Sequence, residues 1–180
     1  MDLLTDLVSA GERARRAART LAQASSRQRN AALLAGADGL LERAEEILAA
    51  NAVDLERAEA AAGSATVLDR LRLDESRIRS MSAGLRQVAA LADPLGRVVA
   101  GWTRSDGLEI RKVTVPLGVI GIIYENRPNV TSDAASLCVK SGNAAFLRGS
   151  SGAISSNKVI AQVLRAGCRS ADLPEDSVVL

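Results

Sequence analysis

The chain has 180 residues, 47% of them apolar and 24% charged, which are the proportions of an ordinary folded domain and not of a disordered tail, a fibre or a disulfide scaffold. The 23 basic and 21 acidic residues leave a net charge of +2, so no global field points to nucleic acid or to an anionic membrane. There are two cysteines, Cys138 and Cys168, and no histidine, which removes Cys/His zinc sites, imidazole bases and any Ser-His-Asp triad built within the chain.

Residues 1 to 24 alternate charge with alanine and contain no apolar signal-peptide core. Instead Leu4, Leu7, Val8, Ala14, Ala18 and Leu21 fall at the spacing of a helix with one buried stripe. Arg13, Arg15, Arg16 and Arg19 decorate the rest of it. They could follow a phosphate backbone, but no aromatic residue is interleaved, and a solvated helix face accounts for them.

Ser25 followed by Gln28 has the form of a capping box and predicts a second helix striped by Leu33, Ala37, Leu40, Leu41, Ala44, Ile47 and Leu48. That helix tolerates Gly36 and Gly39 at about 1 kcal/mol each relative to alanine. Asn51 is expected to end it or to bend it toward a helix over 54–62. Gly63 and Ser64 break the pattern, a short helical turn spans 67–71, and Asp74 caps a helix carrying Ile78, Met81, Leu85, Val88 and Ala92 that stops before Pro94.

Beyond Pro94 the period changes. Val98, Ala100 and Trp102 alternate before Asp106-Gly107, and Leu108 and Ile110 follow, which predicts a hairpin whose two turn residues both take positive φ. An isolated hairpin is marginal in water, so its open edge is expected to pair with another strand or another subunit. The apolar run 118–124 reads as a strand covered on both faces. The polar loop 125–129 follows, then a helix over 130–140 capped by Asn129 or Thr131 and ended by Gly142, with Lys140 in its last turn. A strand over 144–148, a tight loop 149–152, a helix over 153–167 and the start of a third strand at 178–180 complete the chain. This order predicts an α/β fold: a helical N-terminal region, a hairpin, then the first βαβαβ part of a doubly wound, Rossmann-like parallel sheet. Two βα units are few for such a sheet, which predicts that the chain is the front part of a larger enzyme.

In open parallel sheets ligands bind beyond the carboxyl ends of the strands, so the loops after Tyr124 and Arg148 are the places for chemistry. Arg148, Gly149, Ser150, Ser151 and Gly152 offer small residues, hydroxyls, helix-start N–H groups and a positive charge, a set suited to phosphate. The same glycines could serve only a tight turn. In the first loop, Asn126, Arg127 and Asn129 could receive a carboxylate or acyl phosphate and donate to an oxyanion. Equally, Asn129 could only cap the helix and Arg127 only pair with Glu125. Cys138 reads as core, and Cys168, after Gly167, has no visible activator.

Residues 115–157, VPLGVIGIIYENRPNVTSDAASLCVKSGNAAFLRGSSGAISSN, resemble bacterial γ-glutamyl phosphate reductases, or glutamate-5-semialdehyde dehydrogenases, a family within the aldehyde dehydrogenase superfamily. The runs IYENRPNVT and KSGNAAFLRGSS carry the likeness, and the segments at 47–58 and 68–98 extend it toward the N-terminus.

The resemblance implies NADPH-dependent reduction of glutamyl 5-phosphate to glutamate 5-semialdehyde in proline biosynthesis, with the nucleophilic cysteine downstream of this chain. It implies a helical part of the cofactor domain over 1–96, an oligomerisation hairpin over 97–117 and the start of the NADP-binding core over 118–180. Cofactor contacts fall on Tyr124, Arg148, Gly149, Ser150 and Ser151, and substrate contacts on Asn126, Arg127 and Asn129. Arg148 falls where relatives place a lysine against the adenosine ribose. Ser151 replaces a glutamate of NAD-preferring relatives that would repel a 2′-phosphate, so NADP(H) is expected. The expected protein is a cytoplasmic homo-oligomer with a small-molecule substrate and neither nucleic-acid nor membrane partner. The competing reading is a stand-alone nucleotide-binding or interaction module.

Overall fold

The computed structural model describes residues 3–180. Five helices come first: α1 (Leu3–Gln23), α2 (Ser26–Glu42), α3 (Ala44–Ala60), α4 (Ala65–Leu71) and α5 (Glu75–Ala90). The hairpin strands β1 (Val98–Thr103) and β2 (Glu109–Val113) follow, then β3 (Val119–Ile123), α6 (Asn129–Lys140), β4 (Ala144–Arg148), α7 (Ile154–Ser170) and β5 (Val178–Val179). The last three strands form a parallel sheet in the order β3-β4-β5, as the βαβαβ reading requires.

Local signals set several helix starts. Ser25 and Gln28 form the reciprocal capping box, Ser64 accepts from the Val67 N–H, and Asp74 accepts from the Arg77 N–H at 2.7 Å. Gly142 takes φ +71° after α6, where a side chain would also strike Leu95. The expected long second helix is instead two helices that break at Arg43. Asn51 neither ends nor bends anything: it lies inside α3, fully buried, and its amide joins α3 to distant backbone. Likewise Gly167 does not end α7, which runs on to Ser170 and keeps Cys168 in its buried last turn. Gly167 serves close approach, since a Cβ there would lie 2.7 Å from the Ala32 carbonyl oxygen of α2.

Leu21, Leu40, Ile47, Ile78 and Leu85 from the helical half share one core with Ala144, Leu147, Ile160 and Val163 from the βα half. The two halves are therefore one packing unit. The three strands advance in one direction across the sheet, α6 and α7 pack on each other and on it, and α1 also contacts all three strands. Only the second half of the α1 stripe is buried: Ala14, Ala18 and Leu21 are, whereas Leu4, Leu7 and Val8 are exposed. A 21-residue helix is about 30 Å long, while three strands span only about 10 Å, so its first turns overhang the sheet. For a related reason β3 is not covered on both faces. It lies at the sheet edge, with Ile120 and Ile122 half-buried and Ile123 82% exposed.

The hairpin stands away from this core. Trp102 pairs with Ile110, and the Arg104 N–H donates to Leu108 across the turn. Only Gly107 of the turn pair has positive φ, +86°. The five-residue connection between the strands places the left-handed requirement on glycine alone, so the expectation of positive φ at Asp106 does not hold. Asp106 instead accepts from the Leu108 N–H.

Candidate active site

The loops after β3 and β4 lie side by side, because these strands pair in register from Val119 with Ala144 to Ile123 with Arg148. The Tyr124 N–H extends that ladder by donating to the Arg148 carbonyl at 3.1 Å. Thus the residues singled out in two separate loops emerge at one end of the sheet.

Tyr124 ties the two loops together. Its hydroxyl shares a 2.7 Å hydrogen bond with Thr131, whose hydroxyl donates to Asn157 at 3.0 Å. The ring packs on Gly149, where a Cβ would come within 3.1 Å of the ring and 2.3 Å of the Asn157 amide nitrogen. No larger residue fits at 149 without moving one of the two. Burial pushes the Tyr124 phenol above its usual range, opposed in part by the bond with Thr131.

The Asn126 side chain sits against Gly152 and makes no hydrogen bond among the described residues; its Oδ1 is buried without a partner. With Val67, Arg70, Glu125 and Ser150 it lines a cleft of about 320 Å³. An unpaired buried amide atom costs roughly 1–3 kcal/mol, and the Nδ2 of Asn157 at the start of α7 is unpaired in the same way. Arg127 does not pair with Glu125, which bonds Arg70 of α4 at 3.3 Å. Nor does Asn129 cap α6: Pro128 takes the cap position without a side-chain bond, Asn129 is the first helical residue, and its amide donates to Asp133 at 3.0 Å. The alternative cap, Thr131, is buried and committed to Tyr124 and Asn157. Arg127 and Asn129 face a second cleft of about 450 Å³, shared with Arg70, Arg72 and Arg77 of the helical half.

The β4 loop divides into two parts. Arg148 and Ser151 are exposed and their side chains have no partner among the described residues, whereas the Ser150 hydroxyl accepts from the Gly152 N–H. The start of α7 is already occupied. Asp54 of α3, fully buried, accepts from the Ser155 N–H at 3.1 Å and from both the N–H and hydroxyl of Ser156 at 2.8 and 2.7 Å. A carboxylate in that position satisfies the helix-start donors and repels a phosphate. The Ser155 and Ser156 N–H groups are therefore taken by Asp54 and are not free for a phosphate as the sequence suggested, which leaves Arg148 and Ser151 as the exposed groups of this loop.

Both thiols are buried, Cys138 in α6 and Cys168 in α7, and burial pushes each up to about 11. For Cys168, Ser177 and Arg165 oppose the shift without reversing it. Neither is a nucleophile at neutral pH. No group of three or more acidic or thiol ligands that could hold a metal occurs among the described residues, and no described helix is long and apolar enough to cross a membrane.

Sequence reasoning missed Asp54, Arg70, Arg72, Asn157 and Asp133. Each lies within an unremarkable helix or turn, and only the tertiary fold brings it to the loops.

The fold is that of the aldehyde dehydrogenases: an NAD-dependent benzaldehyde dehydrogenase from Corynebacterium glutamicum superposes with a TM-score of 0.72 over 97% of this chain and 34% of its own, at 20% identity. A closer likeness then specifies the group. The γ-glutamyl phosphate reductase of Thermotoga maritima superposes with a TM-score of 0.94 at 42% identity, covering 96% of this chain and 42% of that one. The γ-glutamyl phosphate reductase of Mesorhizobium japonicum is 49% identical over 179 residues, which is 99% of this chain and 42% of that protein. The chain is homologous to the N-terminal part of the γ-glutamyl phosphate reductases and spans about two fifths of their length. No protein-family model matches it.

Proposed function

We propose that the chain forms the cofactor-binding front of a γ-glutamyl phosphate reductase, which reduces glutamyl 5-phosphate with NADPH to glutamate 5-semialdehyde and phosphate. The observation that carries the reading is 49% identity, over nearly the whole chain, to a protein of that name. In this reading 1–96 and 118–180 act as one cofactor-binding body, which their common core supports.

The residues at the β4 end suit NADP(H). Arg148 can pair with a 2′-phosphate, the Ser151 hydroxyl can donate to it, and no carboxylate stands in that loop. NADPH, when bound, supplies the hydride. The Nδ2 of Asn126, which lines the cleft beside Ser150 and donates to no described residue, is the group proposed to donate to the oxyanion that develops on the acyl carbon. Arg127 holds the negative end of the substrate. The acyl-accepting nucleophile comes from outside these 180 residues, because both thiols here are buried and protonated.

The hairpin over 97–117 is the oligomer contact in this reading. Val98, Val99, Trp102, Leu108 and Val113 are all exposed on a two-stranded sheet that packs on no other strand. Sedimentation of the full-length protein carrying Ile110→Glu should show smaller species than the parent, and unchanged species would remove the hairpin from the contact.

The test of the activity is oxidation of glutamate 5-semialdehyde by the full-length protein. It should require phosphate and proceed with NADP, and the 180-residue chain alone should be inert. Turnover that ignores phosphate, or none with either nicotinamide, would overturn the reading.

A further inference from the structure

We propose that the 450 Å³ cleft between the α4–α5 turn and the start of α6 binds the amino-acid end of the substrate, with Arg72 fixing its α-carboxylate alongside Arg127 and with Asp133 receiving its α-ammonium. The inference rests on the reductase reading and adds which end of the substrate lies where, and that the helical half supplies a specificity residue.

Four arginines and two aspartates line this cleft. Two of the arginines are spent within the protein: Arg77 pairs with Asp69 at 2.8 Å, and Arg70 pairs with Glu125 at 3.3 Å. Arg72 and Arg127 have no ion pair among the described residues, so two free guanidinium groups and one free carboxylate, that of Asp133, face one concavity. Two guanidinium groups against one carboxylate leave the cleft net positive, and a bound carboxylate offsets the excess through charge-assisted bonds.

Arg72 is also held in place. It stands between Leu71 and Leu73, both buried, and Asn51 accepts from the Leu73 N–H at 2.7 Å while donating to the Leu71 carbonyl at 2.9 Å. A buried amide thereby fixes the backbone on both sides of an exposed arginine, a rigid mount of the kind binding residues need. Asp133, one helical turn beyond Asn129 and tied to it, is the acidic wall residue not engaged by an arginine.

The cleft is next to the one that holds Asn126. Arg70 lines both, and its ion pair with Glu125 forms the partition. In this proposal a five-carbon amino-acid chain runs past that ion pair, with its charged end by Arg72 and its acyl carbon toward Asn126.

Steady-state kinetics of the full-length protein test this, with glutamate 5-semialdehyde compared against 4-aminobutanal, which lacks the α-carboxylate. Arg72→Ala should raise KM for glutamate 5-semialdehyde roughly ten- to hundredfold, the effect of losing a charge-assisted bond. KM for NADP and for phosphate should stay unchanged, 4-aminobutanal should be nearly indifferent to the change, and Arg72→Lys should recover part of the loss. The variant leaves the turn intact, since Arg77 is held by the backbone carbonyl of Arg72 and not by its side chain. Should it nevertheless misfold, the parent protein decides: kcat/KM for 4-aminobutanal should fall about a hundredfold below that for glutamate 5-semialdehyde. Equal use of the two aldehydes by the parent, or an Arg72→Ala effect equal on both, overturns the assignment while leaving the reductase reading in place. Absence of any phosphate-dependent turnover overturns both.

Discussion

The starts of α6 and α7 occupy equivalent places in the two βα units, yet they are finished in opposite ways. At α7 a buried carboxylate from another helix satisfies the first N–H groups, and its own serine adds a further bond. At α6 there is no side-chain cap, an adjacent asparagine amide is left unpaired, and two guanidinium groups face a cleft without partners. The α7 start is thus capped from another helix, although the Nδ2 of Asn157 in its first turn is also unpaired, while the α6 start has no side-chain cap. In a fold where strand order alone nominates both ends, the contrast favours the α6 end for the proposed substrate site and leaves the exposed part of the β4 loop for the proposed cofactor contact.

The largest effect should come from breaking the closed end. Asp54→Ala leaves the buried N–H and hydroxyl of Ser156 and the partly buried Ser155 N–H without their acceptor, a loss of about 3 kcal/mol. For a chain of this size that lowers Tm by roughly 6–12 °C, readable by thermal circular dichroism. A shift within the error of the parent would mean that the α7 start is not a structural keystone.

A smaller effect belongs to the exposed part of the β4 loop. Ser151→Glu brings a carboxylate toward Arg148 and toward any 2′-phosphate, and should weaken NADPH binding about tenfold more than NADH binding. Fluorescence titration distinguishes this from equal weakening of both, which would place the 2′-phosphate elsewhere.

The smallest effect concerns the thiols. With both pushed up to about 11, only about one in a thousand is thiolate at pH 8, so alkylation of the folded protein should be slow and should accelerate on unfolding. Replacing Cys138 and Cys168 together by alanine should lower stability by about 1 kcal/mol each and leave kcat of the full-length protein within a few-fold of the parent. Loss of activity at unchanged Tm would put the nucleophile in this half.

What the sequence revealed was mostly local. The capping box at Ser25, the cap at Asp74, the left-handed Gly142 and the hairpin at Gly107 depend on a few neighbouring residues, and each stands in the structure. The parallel sheet was legible because the change of period after Pro94 and the short βα connections leave few topologies. The site was half legible. Loop residues announce themselves by composition, but Asn51 meets Ser156 across 105 positions and Asp54 meets Ser155 across 101, distances at which spacing carries no signal. Asn51 looked like a helix terminator for the same reason: asparagine disfavours helix interiors unless tertiary partners satisfy its amide, and those partners were out of view.

The central claim is that the open end at α6 performs chemistry while the closed end at α7 supports it. Asn126→Ala in the full-length protein probes it most directly, with kcat and Tm measured on the same preparation. Removing an oxyanion donor should lower kcat by about 10²–10³-fold, while Tm holds or rises by several degrees because the variant loses no hydrogen bond and relieves a buried, unpaired amide oxygen. A kcat within twofold of the parent, or a loss of activity that follows a fall in Tm, would contradict it.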